Sequence, residues 1–315
     1  MASPPCSDAA RLRHDAMAGS AAPARAWLLV EHHGPWLIDA FGGSGIHEGI
    51  QHHLQRSAAA VGARILLIRR PGRQERRGTR AWAVVHGPTS AHPGTQVWGR
   101  WRHEDDLLGA APALGEVRHT GAGAGRCTEA TEAAEATADA EHDPLFLVCA
   151  HGRHDVCCAV RGRPVAAAVQ ARWPEQTWEC SHVGGCRFAG NLVVLPDGVY
   201  YGGLDGEDAV EVLEGHLAGR SPAGHLRGTS SEAPVAQAAV AEVLRRRPGA
   251  AGAVSSSGVE RLGPAAWRVR VRDAAEVLDV ELEQRAAPPE LLTCRAPRPA
   301  APREFVVTGV RVIGR

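Results

Sequence analysis

Residues 145–158 read LFLVCAHGRHDVCC: a run of apolar residues, a polar loop and two adjacent cysteines. A short apolar run ahead of a polar loop predicts a buried strand over Leu145 to Val148, ending at Cys149. The loop His151 to Asp155 leads to a predicted helix from about Cys158 to Arg172. A thiol therefore stands at each end of a loop that joins a strand to a helix.

The sequence that follows completes a compact α/β unit over residues 144–222. A strand is predicted at Thr177 to Cys180 and a helix at Asp208 to Ala218, whose apolar residues share one face. Leu192 to Leu195 and Val199 to Tyr201 flank Pro196-Asp197-Gly198, a composition typical of a hairpin turn.

The first 118 residues predict elements in a similar order but lack a cysteine cluster. Strands are expected at Ala26 to Glu31, Ala63 to Ile68, Trp82 to Val85 and Gln96 to Trp101, with a helix at Ile46 to Val61 after the first strand. We infer an architectural duplication in which one half keeps the site.

Two further segments complete the predicted organisation. Residues 119–143 hold mostly Ala, Gly, Thr and Glu, which bury too little apolar surface to offset their ordering entropy, so we expect a flexible linker. Residues 223–315 predict a small C-terminal α+β domain: a polar connection over 221–232, the helix Pro234 to Arg246, and strands at Trp267 to Val271, Val277 to Leu282 and Phe305 to Val312.

Composition excludes several functions. The 315 residues carry 35 basic and 35 acidic side chains, and this neutral balance argues against binding to nucleic acid or to an anionic membrane. All the cations are arginines, so lysine-dependent chemistry such as Schiff-base catalysis is excluded. No apolar run approaches a membrane span and no secretory signal is visible, so we expect a cytoplasmic, reducing location.

The cysteines point to a metal or catalytic site, because disulfides are rare in such a compartment. Five of the eight lie between Cys149 and Cys186, whereas Cys6, Cys127 and Cys294 are scattered. Residues 180–191 read CSHVGGCRFAGN, where His182 and Cys186 bracket two glycines that let a loop curl around a bulky group.

Four soft donors from two loops suit a tetrahedral metal or a cluster; they are Cys149, Cys158, His182 and Cys186. Their spacing differs from that of a zinc finger and from a catalytic C-x-x-C.

These residues carry a resemblance to the sucrase/ferredoxin-like proteins, a family of thioredoxin-like ferredoxins. The matching parts are Cys149 to Cys158 with Arg161-Gly162, Cys180 to Asn191, Leu195 to Gly198, Tyr201-Gly202, and near the start Cys6-Ser7, Gly19 to Ala21, Trp27 to Glu31 and Gly34 to Trp36. The resemblance covers most of the chain and is weakest in the predicted linker and the last 80 or so residues.

The resemblance implies a thioredoxin-like ferredoxin domain with a [2Fe–2S] cluster, an electron carrier that serves an unidentified redox partner protein. Carried over by position, Cys149 and Cys158 are the thiolate pair and His182 is the first histidine ligand. Cys186 occupies the second histidine position, which is a departure from the family pattern. The resemblance therefore implies a Cys₃His set that retains the cluster.

Alternatives remain open at this point. The same four residues would also suit a structural zinc ion, and Cys157 or Cys158 would suit a thiol redox enzyme. Only one of these adjacent cysteines should ligate, and we favour Cys158; Cys180 is a packing residue or a substitute ligand. The polar residues His151, Arg153, His154 and Asp155 either support the ligands or cap the loop and helix.

An arginine-rich segment lies outside this region. Arg69 to Arg80 holds six arginines and one glutamate, and it is either a solvated loop or a docking patch for an acidic redox partner.

Overall fold

The structure is a computed structural model that describes residues 4–72, 78–89, 92–115, 143–249 and 253–314. Within these ranges the α-helices are α1 Cys6–Arg13, α2 Glu48–Val61, α3 Ala110–Gly115, α4 Val156–Arg172, α5 Gly206–Leu217 and α6 Pro234–Arg246. The first nine strands are β1 Ala26–Glu31, β2 Ala63–Arg69, β3 Arg80–His86, β4 Thr95–Trp101, β5 Leu145–Cys149, β6 Thr177–Cys180, β7 Leu192–Leu195, β8 Val199–Tyr201 and β9 Leu226–Thr229. The last four are β10 Ser255–Gly263, β11 Ala266–Arg272, β12 Val277–Ala286 and β13 Arg303–Gly314.

Nine strands form one mixed sheet in the order β4-β3-β1-β2-β6-β5-β7-β8-β9. β1 pairs with β2 in parallel, as β5 does with β6, and the other neighbouring pairs are antiparallel. Each parallel pair is joined by a crossover helix, α2 or α4, so the two halves repeat one topology. They meet where β2 pairs with β6, at Ile68 opposite Cys180.

A second, antiparallel sheet holds the last four strands in the order β10-β11-β12-β13. α6 packs between this sheet and β9 of the large one. α6 is buried on more than one face. One face carries Val235, Ala239 and Val243, and the buried residues outside that face include Ala238 and Ala241. A helix that is apolar around most of its circumference needs a partner on both sides.

The mixed α/β class expected from the sequence is confirmed. Every predicted helix and strand is present, with bounds that differ by a few residues. α4 begins at Val156, two residues earlier than predicted, because the Asp155 carboxylate accepts a hydrogen bond from the Cys157 amide and caps the helix there.

Four of these elements are absent from the prediction. α1, α3 and β10 lie where no element was expected, and β9 lies within the segment 221–232 interpreted as a polar connection. β9 reads LRGT and has no apolar alternation; it is a strand because its backbone pairs with β8 and Arg227 has buried hydrogen-bond acceptors.

The proposed domain boundaries stay a prediction. β9 belongs to the unit proposed to begin at residue 223, yet it extends the large sheet. The proposed N-terminal and central units are joined edge to edge by the pairing of β2 with β6. The predicted linker 119–143 lies outside the described residues except for Asp143, as does Cys127.

Candidate metal centre

The four residues singled out from the sequence converge at one end of the sheet. Cys149 ends β5 and Cys158 lies in the first turn of α4. His182 and Cys186 lie in the loop after β6, where Cys186 begins a short 3₁₀ helix. The donor atoms of Cys149, Cys158 and His182 all lie within 4.8 Å of one another. Cys186 Sγ lies 3.6 Å from His182 Nδ1.

Two glycines permit this convergence. A Cβ at Gly162 in α4 would collide with the carbonyl oxygen of Cys149, so only glycine lets α4 approach the end of β5 this closely. Gly185 has a positive φ of 70°, and a Cβ there would collide with the Arg227 guanidinium. The ligand loop therefore curls against that side chain.

Burial distinguishes the thiols from the imidazole. Cys149, Cys158 and Cys186 are each 1% exposed, whereas His182 is half-buried. Because the three thiols are buried and the imidazole is more accessible, His182 is the donor nearest to solvent.

The electrostatics of the site favour an imidazolium beside thiolates. Burial alone would lower the pKa of His182, but hydrogen bonds to Cys149 and Cys186 outweigh it and raise this pKa to about 9. The hydrogen bond from Cys158 lowers the pKa of Cys149 and, together with one from His182, brings the pKa of Cys186 to about 7 against the opposing effect of burial. Cys158 acts as the donor in both bonds, which raises its own pKa. The site thus accumulates negative charge that a metal cation would neutralise.

The polar loop supports the ligands. The His154 ring stacks on the His182 ring at 3.6 Å between centroids, and the donor atoms of His154, His182 and Cys186 form a second compact set. His151 Nε2 lies 2.6 Å from the carbonyl oxygen of Leu37, in the N-terminal half. Arg153 is exposed, and its carbonyl accepts a hydrogen bond from Arg295.

Arg227 holds the ligand loop and was missed by sequence reasoning. Arg227 is 1% exposed, and its guanidinium donates to the Gly184 carbonyl at 3.0 Å and to Asn191 Oδ1 at 2.8 Å. It also donates to the Ser20 carbonyl and hydroxyl. Asn191 in turn donates to the Gly185 carbonyl at 2.9 Å. Arg227 is a single arginine in the segment 221–232, which was interpreted as a polar connection, so nothing in the sequence indicates that it holds the ligand loop.

Cys157 and Cys180 take different positions from the four donors. Cys180 is fully buried at the end of β6, and burial raises its pKa well above the ordinary value. The Cys157 thiol points away from the Cys158 thiol and joins those of Cys6 and Cys294 beside Asp155. The latter two cysteines are scattered in the sequence but adjacent in the fold.

The described part of the arginine-rich segment is tied to the fold. Arg69 pairs with Glu179 at 2.7 Å. Arg70 lies over the Trp178 ring at 3.7 Å, and Arg80 over the Trp101 ring at 3.3 Å. These three arginines thus make contacts within the chain. Residues 73–77 lie outside the described part, and the docking-patch hypothesis stays a prediction.

Comparison with known proteins places the chain in a family. The sequence profile described as sucrase/ferredoxin-like matches residues 17–228, more than half of the chain, and the chain therefore belongs to this family. This confirms the resemblance noted from the sequence.

One curated relative is the altered inheritance of mitochondria protein 32 of Meyerozyma guilliermondii, 32% identical over 82 residues. The match covers 23% of this chain and 29% of the relative, so the chain spans less than a third of that relative's length. No solved structure matches the chain. Among the described residues, no helix has both the length and the apolar character needed to cross a membrane.

Proposed function

We propose that the chain is an electron-transfer protein that holds a [2Fe–2S] cluster on Cys149, Cys158, His182 and Cys186. The observation that carries the proposal is the convergence of these four donors from two loops. Three thiols and one imidazole are a donor set that iron–sulfur clusters use, and mixed thiolate–histidine ligation has precedent. The cluster, when bound, would supply one-electron redox chemistry.

The residues have separate tasks in this proposal. Cys149 and Cys158 hold the cluster from the strand–helix loop, while His182 and Cys186 hold it from the glycine loop that Arg227 fixes. The thiolate side is buried and faces the core. The half-buried His182 ring, stacked on His154, is the edge nearest to solvent, where an electron would enter or leave.

The topology supports a thioredoxin-like assignment of the cluster-bearing half. The order β6-β5-β7-β8, with a parallel pair linked by α4 and two antiparallel strands, is repeated by β2-β1-β3-β4. We therefore propose a thioredoxin-like ferredoxin unit and a degenerate copy that has lost the ligands. The copy shields the site, as the contact between His151 and Leu37 indicates, or docks a partner.

We propose a cytoplasmic location and a redox partner protein, and neither nucleic acid nor membrane as partner, because the chain is neutral overall. The alternative of a thiol redox enzyme is weakened by burial. A reactive thiol is partly exposed, whereas Cys157 and Cys158 are 2% and 1% exposed. A structural zinc ion on the same four donors remains the main competitor.

Anaerobic purification followed by iron and sulfide analysis and a visible spectrum tests the proposal. We expect a red-brown protein with about two iron and two sulfide per chain. Cys149→Ser and Cys158→Ser should lose most of the iron, while Cys180→Ala, which removes a buried thiol outside the donor set, should retain it. A colourless wild-type chain with one zinc on these residues would overturn the proposal.

A further inference from the structure

A second group of donors lies beside the candidate cluster site. The thiols of Cys6 in α1, Cys157 in α4 and Cys294 in the segment between β12 and β13 form a triangle. Its sides are 3.6 Å from Cys6 to Cys157, 3.3 Å from Cys157 to Cys294 and 3.6 Å from Cys294 to Cys6. The Asp155 carboxylate completes the group, with Oδ2 3.7 Å from Cys6 Sγ.

We propose that Cys6, Cys157, Cys294 and Asp155 hold a structural zinc ion that fastens α1 and the segment between β12 and β13 to the start of α4. The four donor atoms all lie within 4.8 Å of one another. A tetrahedral zinc with bonds of about 2.3 Å to sulfur places its sulfurs about 3.8 Å apart. The observed sides are within about 0.5 Å of that value, so small shifts of the sulfurs complete the tetrahedron.

Hydrogen bonds fix the donors in place. Asp155 Oδ1 accepts from the Cys157 amide at 2.9 Å, and Oδ2 accepts from the Cys294 amide at 2.8 Å. Each oxygen keeps a further lone pair for a metal. The Cys6 amide donates to Cys294 Sγ at 3.4 Å. Such support of ligating groups by backbone donors is typical of protein metal sites.

The donor set selects the kind of ion. Three thiols are soft ligands, which suit zinc and exclude calcium and magnesium as the natural occupant. Four protein ligands leave no open position, and this closed arrangement defines a structural rather than a catalytic zinc site. Asp155 is fully buried, Cys6 and Cys157 are 3% and 2% exposed, and Cys294 is half-buried.

A disulfide explains the group less well. The shortest separation, 3.3 Å between Cys157 and Cys294, is far above the bond length of about 2.05 Å. Any one disulfide would leave a third thiol and a buried carboxylate beside it unused. A divalent cation uses all four groups and offsets part of the negative charge that they carry once the thiols have lost their protons.

The location assigns the ion a role in assembly. The donors come from segments separated by up to 288 residues, so the ion would bridge the N-terminal helix, the start of α4 and the segment ahead of β13. Cys157 precedes Cys158, the proposed cluster ligand. Zinc binding would therefore hold α4 at the position that Cys158 needs, without contributing to electron transfer.

Metal analysis of matched variants tests the inference. Purified wild type should contain one zinc per chain. Cys157→Ser and Cys294→Ser should lose it while their iron stays above half of the wild-type level. Cys149→Ser should lose iron and keep zinc. Cys180→Ala should keep both metals. Cobalt(II) added to the wild type depleted of zinc should produce thiolate-to-cobalt absorption, which Cys157→Ser should lack.

A conservative variant guards against misfolding. Asp155→Asn keeps an oxygen to cap α4, so its far-UV circular dichroism should match that of the wild type while zinc affinity falls at least about 10-fold. Absence of zinc from the wild type together with no cobalt absorption would overturn the proposal. So would loss of zinc in Cys149→Ser but not in Cys157→Ser, or a native disulfide among the three cysteines found by mass spectrometry. Iron content is read independently, so failure here is distinguishable from failure of the cluster assignment.

Discussion

Cys157 and Cys158 are consecutive residues at the start of α4, yet their thiols belong to two different groups of donors. Consecutive side chains on an α-helix point about 100° apart. Cys158 therefore faces Cys149 and Cys186, while Cys157 faces Cys6 and Cys294. Asp155 caps the helix and presents its carboxylate to the second group, so one helix start organises both.

Cys186→His should raise the reduction potential of the proposed cluster. The substitution restores the histidine that the family pattern has and removes one negative charge, which makes electron uptake easier. A rise on the order of 100 mV is expected in a redox titration. The wild type should retain some pH dependence through His182.

His182→Cys serves as the reverse substitution, because it adds a negative charge and should lower the potential. An unchanged or lower potential in Cys186→His would show that Cys186 is not a ligand.

Metal binding to the four donors should release about two protons per chain near pH 8. His182, with a pKa of about 9, is then mostly protonated, and Cys158 keeps its thiol proton because its pKa is raised. Cys186, with a pKa of about 7, is mostly thiolate, and the hydrogen bond from Cys158 lowers the pKa of Cys149, so these two thiols release few protons. Above pH 9, His182 has already lost its proton before the metal binds. The number of protons released should therefore fall towards one per chain.

The measurement is a zinc titration of metal-free Cys157→Ser in weakly buffered solution, since this variant lacks one donor of the second group. Proton release that stays the same from pH 7.5 to 10 would contradict the assigned protonation states.

Arg227→Met should destabilise the protein by at least about 3 kcal/mol, because each buried acceptor left without its donor costs about 1–3 kcal/mol. The carbonyl oxygens of Ser20 and Gly184 and the side chain of Asn191 lose their partner. Urea unfolding measures the change. Arg220→Met removes an exposed arginine and should alter the free energy of unfolding by less than about 0.5 kcal/mol. Equal effects of the two substitutions would show that Arg227 does not hold the ligand loop.

Gly162→Ala should cost about 1–3 kcal/mol of stability through overpacking. The added methyl group would meet the Cys149 carbonyl, push α4 away from β5 and separate Cys158 from Cys149. Metal content should therefore fall along with the melting temperature. Gly224→Ala is the control, because no atom lies within 4 Å of the added methyl group there. Full metal content in Gly162→Ala would mean that the two elements tolerate a wider spacing.

Local patterns predicted the elements around the candidate site well. Apolar runs gave β5 and β7, and Cys149, Cys158, His182 and Cys186 stood out because they lie within 38 positions of one another. β9 escaped notice because LRGT has no strand periodicity and depends on pairing with β8. α1 is short, and its contacts are with distant parts of the chain.

The second group of donors, Cys6, Cys157, Cys294 and Asp155, could not be predicted from the sequence. Cys6, Cys157 and Cys294 are separated by more than a hundred residues, and no spacing rule connects them. The role of Arg227 is equally non-local, since its acceptors lie near residues 20, 184 and 191. Such sites arise where segments distant in sequence meet, which only the tertiary structure shows.

The most direct test of the central claim is electron paramagnetic resonance of the dithionite-reduced protein, with pulsed measurement of nitrogen coupling. The proposal predicts a spin-½ signal from a reduced [2Fe–2S] cluster, with coupling to one histidine nitrogen that His182→Cys abolishes. A signal without nitrogen coupling would contradict ligation by His182. A protein that remains diamagnetic and colourless, with zinc bound to Cys149 and Cys158, would contradict the electron-transfer function itself.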